Sequence, residues 1–289
     1  MLSEKNSFKK NVCIVEIESD SFCNRKCSYC INSLFDKTRE NIVMPPILFE
    51  KIIRELAEVE YDRMVTFHRY NEPFHDQNNE ILNRISFARK KLPNAILAVS
   101  SNADYIDENY LSLIRNSGLN ELYLQCHIED QEKLSIEDKK EWLQKINKKI
   151  GNFPGRYIYK ENAIVFYTIN SGFSKLTIQL KNFRAVGVDR GGLIKALQRT
   201  KISQPCYQPL TSMTIDFNGM VTMCCNTVSY IREHQDFIIG DCNINKLSEI
   251  YGSEKAVTLR KNLIQGNRMT ICEYCNISNR KLVEKYKLL

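Results

Sequence analysis

The sequence predicts an α/β protein, a parallel sheet with helices packed outside it, followed by a smaller C-terminal region. Two observations carry this. Short β-rich runs alternate with amphipathic helical stretches through the first two thirds of the chain, the mark of repeated strand–helix units. After about residue 200 the alternation stops, and a hairpin signal, one helical stretch and a cysteine pair take its place.

Taken in order, Cys13–Ser19 reads as a strand, and Pro46–Glu60 as a helix with Leu48, Ile52, Ile53 and Leu56 on one face. Met64–Tyr70 reads as strand, Asn78–Lys91 as helix, Ala95–Ser101 as strand and Glu108–Asn116 as helix. Glu121–His127 follows as strand, Asp138–Ile150 as helix and Ala163–Thr168 as strand. These units close either into an open doubly wound sheet or into a barrel. In the C-terminal region, Ser212–Phe217 and Met220–Cys224 flank Asn218-Gly219, a pair that tolerates positive φ and suits a tight hairpin. Leu247–Gln265 reads as a helix, and Cys272-Glu-Tyr-Cys275 lies beyond it. The expected division is residues 1–200 and 201–289. One hairpin and one helix make a thin core for the second part, so a metal there would be structurally useful.

Hydrophobic residues make up 43% of the 289 and aromatics 10%, enough for a substantial core. No apolar run reaches membrane-spanning length, and Met1–Lys10 is polar without an apolar signal stretch, so a soluble cytoplasmic protein is expected. The net charge of +7 is spread along the chain and comes with no recognition module, which argues against nucleic acid. The eleven cysteines are an odd count and an unlikely disulfide framework in a reducing compartment. Seven of them fall into two groups, and such clustering points to metal or redox chemistry.

The first group, Cys23-x₃-Cys27-x₂-Cys30, follows the first strand directly, at the rim where β/α folds place their chemistry. Three thiolates supply three of the four ligands of a cubane cluster. A zinc knuckle borrowing a distant fourth ligand is the alternative.

With Tyr29 before its last cysteine, this spacing resembles the signature of the radical S-adenosylmethionine (SAM) superfamily. The resemblance implies a partial (β/α)6 barrel, a [4Fe–4S] cluster on Cys23, Cys27 and Cys30, and SAM on the fourth iron, cleaved to a 5′-deoxyadenosyl radical. Phe67–Pro73 resembles the family's G-G-E-P motif: Glu72 and Pro73 match, while Tyr70 and Asn71 replace the glycines. Ser101-Asn102 matches the family's ribose-contacting position. Tyr29, Tyr70, Asn71, Glu72, Pro73, Ser101 and Asn102 are therefore the implied SAM-binding residues. Cys206-x₁₂-Gly219-x₄-Cys224 resembles the opening of the family's auxiliary-cluster domain, SPASM. Cys272-x₂-Cys275 ends the pattern with no further cysteine, which resembles the shortened twitch form, holding a second [4Fe–4S] cluster on Cys206, Cys224, Cys272 and Cys275. A four-cysteine zinc ribbon is the alternative here. Cys225 stands next to a ligand position and is able to replace Cys224; Cys242 reads as a small apolar residue.

Strand alternation sets the expected lumen. In Glu121–His127, Leu122, Leu124 and Cys126 face the outer helices, which turns Gln125 and His127 inward. By the same logic Glu16 and Glu18 point inward, with one of His68 and Arg69. Such a lining suits a polar, hydroxylated or amino-bearing small molecule. Asp189-Arg190-Gly191-Gly192 resembles a motif of the twitch-bearing dehydrogenases of this superfamily. The expected reaction is therefore hydrogen abstraction from a carbinol carbon and oxidation to a carbonyl. Arg190, Glu18, His127 and Gln125 are the candidate catalytic residues, the arginine acting electrostatically because its pKa is too high for a base. An electron donor such as flavodoxin or ferredoxin is implied. Epimerisation, with Cys225, Cys242 or Cys126 returning a hydrogen atom, and modification of a ribosomally made peptide are the alternative reactions.

Overall fold

A computed structural model describes residues 4–35, 41–75 and 80–288. Helix α1 (Glu4–Asn11) leads into β1 (Ile14–Ile17), and α2 (Pro46–Glu58) returns the chain to β2 (Met64–Thr66). Then come α3 (Glu80–Lys91), β3 (Ile96–Ser101), α4 (Glu108–Asn116), β4 (Glu121–Gln125) and α5 (Ile136–Lys149). A meander of β5 (Gly155–Lys160), β6 (Ala163–Thr168) and β7 (Lys175–Lys181) follows, with the single turn α6 (Phe183–Val186). The C-terminal region holds α7 (Gln208–Thr211), β8 (Ser212–Ile215), β9 (Met220–Thr222), β10 (Ile238–Asp241), α8 (Leu247–Gly252), α9 (Glu254–Ile264) and α10 (Arg280–Tyr286).

One ten-stranded sheet runs through both regions in the order β10-β9-β8-β1-β2-β3-β4-β7-β6-β5. Its middle, β8-β1-β2-β3-β4-β7, is parallel, and this is the six-stranded barrel-like sheet implied by the sequence, left open at both edges. The flanking pairs on each side are antiparallel. Strand β8 enters by pairing with β1, Ile14 opposite Ser212 and Ile17 opposite Ile215. The C-terminal region is thereby built onto the first strand of the barrel.

The core follows from helical and strand periodicity. Helix α2 starts with Pro46 in its first turn, where a missing N–H costs nothing. It buries Leu48, Phe49, Ile52, Ile53 and Leu56 along one stripe. Val15, Ile17, Val65, Leu97, Val99, Leu122 and Leu124 are fully buried and meet that layer from the sheet. Asp107 caps α4 by accepting from Tyr110 N at 2.8 Å, and Ser135 with Asp138 forms a capping box on α5, two residues before the expected start.

Several strands stop short of their expected ends. β1 ends at Ile17, β2 at Thr66 and β4 at Gln125, each followed by one last backbone bond to its neighbour: Glu18 N to Ile215 O at 2.9 Å, Phe67 N to Ala98 O at 3.2 Å and Cys126 N to Gln179 O at 2.7 Å. Past β2 the backbone then turns to side chains. Tyr70 N donates to Glu18 Oε1 at 3.1 Å and Arg69 N to Asn71 Oδ1 at 3.0 Å. Alternation therefore no longer governs these residues, a point that bears on Glu18, His68 and Arg69. The expected helix start at Asn78 lies outside the described residues. The expected helix Leu247–Gln265 is two helices, broken at Ser253, whose hydroxyl accepts from Ala256 N at 3.3 Å to start α9. In the hairpin only Gly219 is left-handed (φ 87°); Asp216–Gly219 form a four-residue turn closed by Gly219 N to Asp216 O at 2.8 Å. A side chain at Gly219 would also strike Asn243 and Leu48.

The two regions are locked by a buried ion pair. Arg69, past the end of β2, meets Asp216 at the hairpin turn, with 1% and 0% of the two side chains exposed. Arg69 also donates to Thr227 O at 2.7 Å, and Asp216 accepts from Ser229 N at 2.5 Å. Arg69→Met leaves a buried carboxylate without its cation and should destabilise the protein by about 3–5 kcal/mol. Urea unfolding of the variant beside wild type measures this, and the double variant Arg69→Met/Asp216→Leu should recover much of the loss.

Candidate active site

A cavity of about 320 Å³ opens at the C-terminal ends of the parallel strands. Cys23, Cys27, Cys30, Tyr29, Tyr70, Asn71, Glu72, Ser101, Asn102, Gln125, His127 and Arg190 all line it, so most of the expected barrel-side residues come together here. Two do not. Glu18 lies beyond the end of β1, fully buried behind the wall, where it accepts from the Tyr70 amide. Pro73 faces a separate small crevice with Asp20 and His75.

The cysteine loop is stapled to the strand ends. Asn24 donates to Asp104 at 2.7 Å, Arg25 grips the same carboxylate at 2.5 and 2.7 Å, and Arg25 also donates to His127 O at 2.8 Å. Ser28 donates through its amide and hydroxyl to Glu129 at 3.0 and 2.8 Å, and Asn32 donates to Tyr70 O at 2.8 Å. Cys23, Cys27 and Cys30 thus face one space from one short loop. Burial pushes the Cys23 thiol up to about 11, and Glu72 and the other two thiols add to the rise. Three thiolates gathered in a desolvated pocket repel one another, and a cationic iron centre relieves that repulsion, so this donor set fits a cluster. Among the described residues no three His, Cys, Asp or Glu side chains converge as they would on a single ion.

Glu72 sits beside this loop at the centre of a hydrogen-bond fan. It accepts from Ser101 Oγ at 2.7 Å, Asn102 N at 2.6 Å and Phe74 N at 3.2 Å. Burial outweighs these bonds and pushes the carboxyl up to about 7. The turn that lacks the family's glycines is made without left-handed backbone at Tyr70 or Asn71. The Asn71 amide does the holding there, donating to Asp20 at 3.0 Å.

The far wall is polar and aromatic. His127 Nδ1 shares a proton with Tyr29 OH at 2.8 Å, and the His127 and Tyr29 rings both stack on Phe183. His68 Nδ1 accepts from Ser100 N at 3.0 Å, which leaves the proton on Nε2. Burial pushes both imidazoles down to about 4, so both are neutral at pH 7. Gln125 Oε1 has no partner among the described residues. Glu16 does turn inward, between the cations of Arg69 and Arg190, and burial pushes its carboxyl upward. Arg190 is left-handed (φ 53°), lies 5.7 Å from the Tyr70 ring and donates to Asn226 Oδ1 at 3.3 Å.

Both His68 and Arg69 reach the cavity, where alternation allowed one of them. Arg25, Asn32, Ser100, Lys181, Phe183 and Cys225 complete the lining without having been singled out as lining residues. Lys181 was legible through the alternation of Leu176, Ile178 and Leu180 in β7; Phe183 and Cys225 follow strand ends and carry no periodic signal. Cys126 packs outward in the core and Cys242 is fully buried there.

The second cysteine group lies beyond this wall. Cys206, Cys224, Cys272 and Cys275 are all buried. Burial raises each thiol, and the neighbouring thiols raise Cys224 and Cys272 further. Cys224 faces this group while Cys225 faces the cavity, so the two adjacent residues are divided between the sites. Four soft donors without a carboxylate among them fit an iron–sulfur cluster.

His68 and His127 link pH to stability. Each titrates near 6.5 unfolded and near 4 folded, so the folded state binds fewer protons and loses stability as pH falls from about 6.5 towards 4. The unfolding midpoint should be lower at pH 5 than at pH 7. His68→Gln/His127→Gln should narrow that difference.

Comparison with known proteins bears on this arrangement. A family model described as the radical SAM superfamily matches residues 17–157, and one described as an iron–sulfur cluster-binding domain, SPASM, matches residues 206–276. The chain is 22% identical over 276 residues to an S-adenosyl-L-methionine-dependent 2-deoxy-scyllo-inosamine dehydrogenase of Niallia circulans, covering 94% of this chain and 96% of that one. Its fold is similar to the crystal structure of BtrN in complex with AdoMet and 2-DOIA, with a TM-score of 0.67 at 21% identity, covering 92% of this chain and 93% of that one. SuiB of Streptococcus suis bound to S-adenosylmethionine aligns at a TM-score of 0.52 and 13% identity, covering 96% of this chain and 75% of that one. With its cysteine loop, its Glu72 fan and its second cysteine group in these positions, the chain carries a radical SAM domain over residues 17–157 and a C-terminal iron–sulfur cluster-binding domain over residues 206–276.

Proposed function

We propose that this enzyme oxidises a carbinol of a polar, hydroxylated small molecule, cyclitol-like or sugar-like, to a carbonyl. The observation that carries the reading is the single cavity with the cysteine loop and Glu72 on one wall, Gln125, His68 and Glu16 on another, and the second cysteine group behind it. The name of the Niallia circulans relative, a dehydrogenase of an aminocyclitol, supports the same substrate class. When bound, the two clusters and SAM supply an electron, a 5′-deoxyadenosyl radical that takes the carbinol hydrogen, and an acceptor for the electron left behind.

The chain's own residues do the rest. Cys23, Cys27 and Cys30 hold the first cluster, and Cys206, Cys224, Cys272 and Cys275 the second. Glu72, held by Ser101 and Asn102, receives the amino group of SAM, Ser101 and Asn102 lie towards its ribose, and Tyr29 flanks it. Gln125 Oε1 and His68 Nε2–H offer an acceptor and a donor to substrate hydroxyls. Glu16 takes the hydroxyl proton, in place of the more deeply buried Glu18, and the fixed charge of Arg190 stabilises the developing oxyanion. His127 stays neutral and orients the Tyr29–Phe183 stack. In this reading residues 1–200 house radical formation and residues 201–289 the electron acceptor, although one sheet serves both. The setting is a reducing cytoplasm with flavodoxin or ferredoxin as donor; among the described residues no helix is long and apolar enough to cross a membrane.

Redox-neutral epimerisation is the second reading, favoured by one observation: Cys225 lines the cavity, whereas Cys126 and Cys242 do not.

Reconstituted protein should hold about eight irons per chain, and the Cys23→Ala/Cys27→Ala/Cys30→Ala variant about four. Stoichiometric zinc without iron overturns the reading. SAM affinity should fall below about pH 7 as Glu72 gains a proton, and Glu72→Gln should bind SAM weakly with a flat pH profile. Titrations across pH 6 to 8 check this. A substrate deuterated at the carbinol carbon should pass deuterium to 5′-deoxyadenosine and yield a carbonyl, one SAM per product. An isomer in place of the carbonyl, with turnover lost in Cys225→Ala, selects epimerisation.

A further inference from the structure

One amide connects the cavity to the second cysteine group. Asn226 is buried, with 3% of its surface exposed, in the turn after Cys224 and Cys225. Its Oδ1 accepts from Arg190 Nη1 at 3.3 Å, and its Nδ2 donates to Cys275 Sγ at 3.6 Å. The orientation of the amide is forced. A guanidinium only donates and a ligating thiolate only accepts, so the oxygen must face Arg190 and the nitrogen Cys275. An apolar side chain does neither job.

The Arg190 end is fixed independently. His234 is fully buried, its Nδ1 accepts from Val228 N at 3.1 Å, and its Nε2–H therefore donates to Gly191 O at 3.0 Å. Gly191 is left-handed (φ 64°), and a Cβ there would come within 2.6 Å of His234 Nε2 and 3.0 Å of Asn226 O. The Arg190–Gly191 turn is thus pressed directly onto the segment that carries Asn226. Neither Asn226 nor His234 belongs to the cysteine or glycine patterns of the sequence.

We infer that Asn226 is a positioning residue that joins Arg190 to the auxiliary cluster and raises that cluster's midpoint potential. The inference rests on the reading that Cys206, Cys224, Cys272 and Cys275 hold a cluster. A hydrogen bond to a ligand sulfur stabilises the more negative, reduced state, which makes the cluster a better electron acceptor. The Arg190 charge on the amide oxygen polarises the N–H towards sulfur and strengthens the effect. The same contact holds the guanidinium facing the cavity, so the substrate-side cation and the electron acceptor are set by one side chain.

The test is redox titration of the holoenzyme followed by electron paramagnetic resonance. Asn226→Leu should lower the auxiliary midpoint potential by about tenfold in the one-electron equilibrium, about 59 mV, and leave the cluster on Cys23, Cys27 and Cys30 unmoved. Arg190→Met should lower it by a smaller amount. If Asn226→Leu fails to assemble the auxiliary cluster, wild-type holoenzyme with asparagine side chains labelled in ¹⁵N carries the test. Pulsed resonance of the reduced auxiliary cluster should then show one weak ¹⁵N coupling. An unchanged potential in Asn226→Leu with both clusters intact overturns the inference, as does the absence of that coupling. Wild-type protein with only about four irons overturns the cluster assignment itself, an outcome read from iron content before any potential is measured.

Discussion

The parallel pairing of β8 with β1 is the constraint on which the arrangement depends. β1 delivers Glu16 and then the cysteine loop; β8 delivers the hairpin that carries Cys224, Cys225 and Asn226. Because parallel strands end on the same side, this pairing brings chemistry separated by about 200 residues of chain to one rim. The Arg69–Asp216 pair then fixes the hairpin turn against the end of β2. A buried pair of this kind adds little net stability against a hydrophobic replacement, so its value lies in specifying one docked geometry.

Burial governs the chemistry of the cavity. It holds both imidazoles neutral, lifts the Glu72 carboxyl to about neutrality and raises the cysteine thiols. A cationic partner would favour the charged form of the thiols and of Glu72, whereas it would keep the imidazoles neutral.

The two adjacent cysteines at the hairpin illustrate how a strand end divides labour. Cys224 faces the buried cysteine group and Cys225 the cavity, with Asn226 bonded to both sides. Three consecutive residues therefore span the wall between the cavity and the second cysteine group.

Much of this was legible in the chain alone. The resemblance carried by the two cysteine groups pointed to the two domains that the family models match, and periodicity placed α2, α4 and β6 at or near their observed limits. Alternation in β4 turned Gln125 inward, because inside a ladder side chains alternate by geometry, and the Cys126 N to Gln179 O bond carries the same direction on to His127. Only tertiary structure decided what happens past the ladder. Glu18 retreats behind the wall, His68 and Arg69 both reach the cavity, and Lys181, Phe183 and Cys225 join them. Asn226 and His234 show no local signal, since their partners Arg190, Gly191 and Cys275 lie 36 to 49 residues away and meet them only in the folded chain. Local sequence dictates direction where a repeating backbone imposes it; where the strands end, long-range hydrogen bonds and burial choose instead.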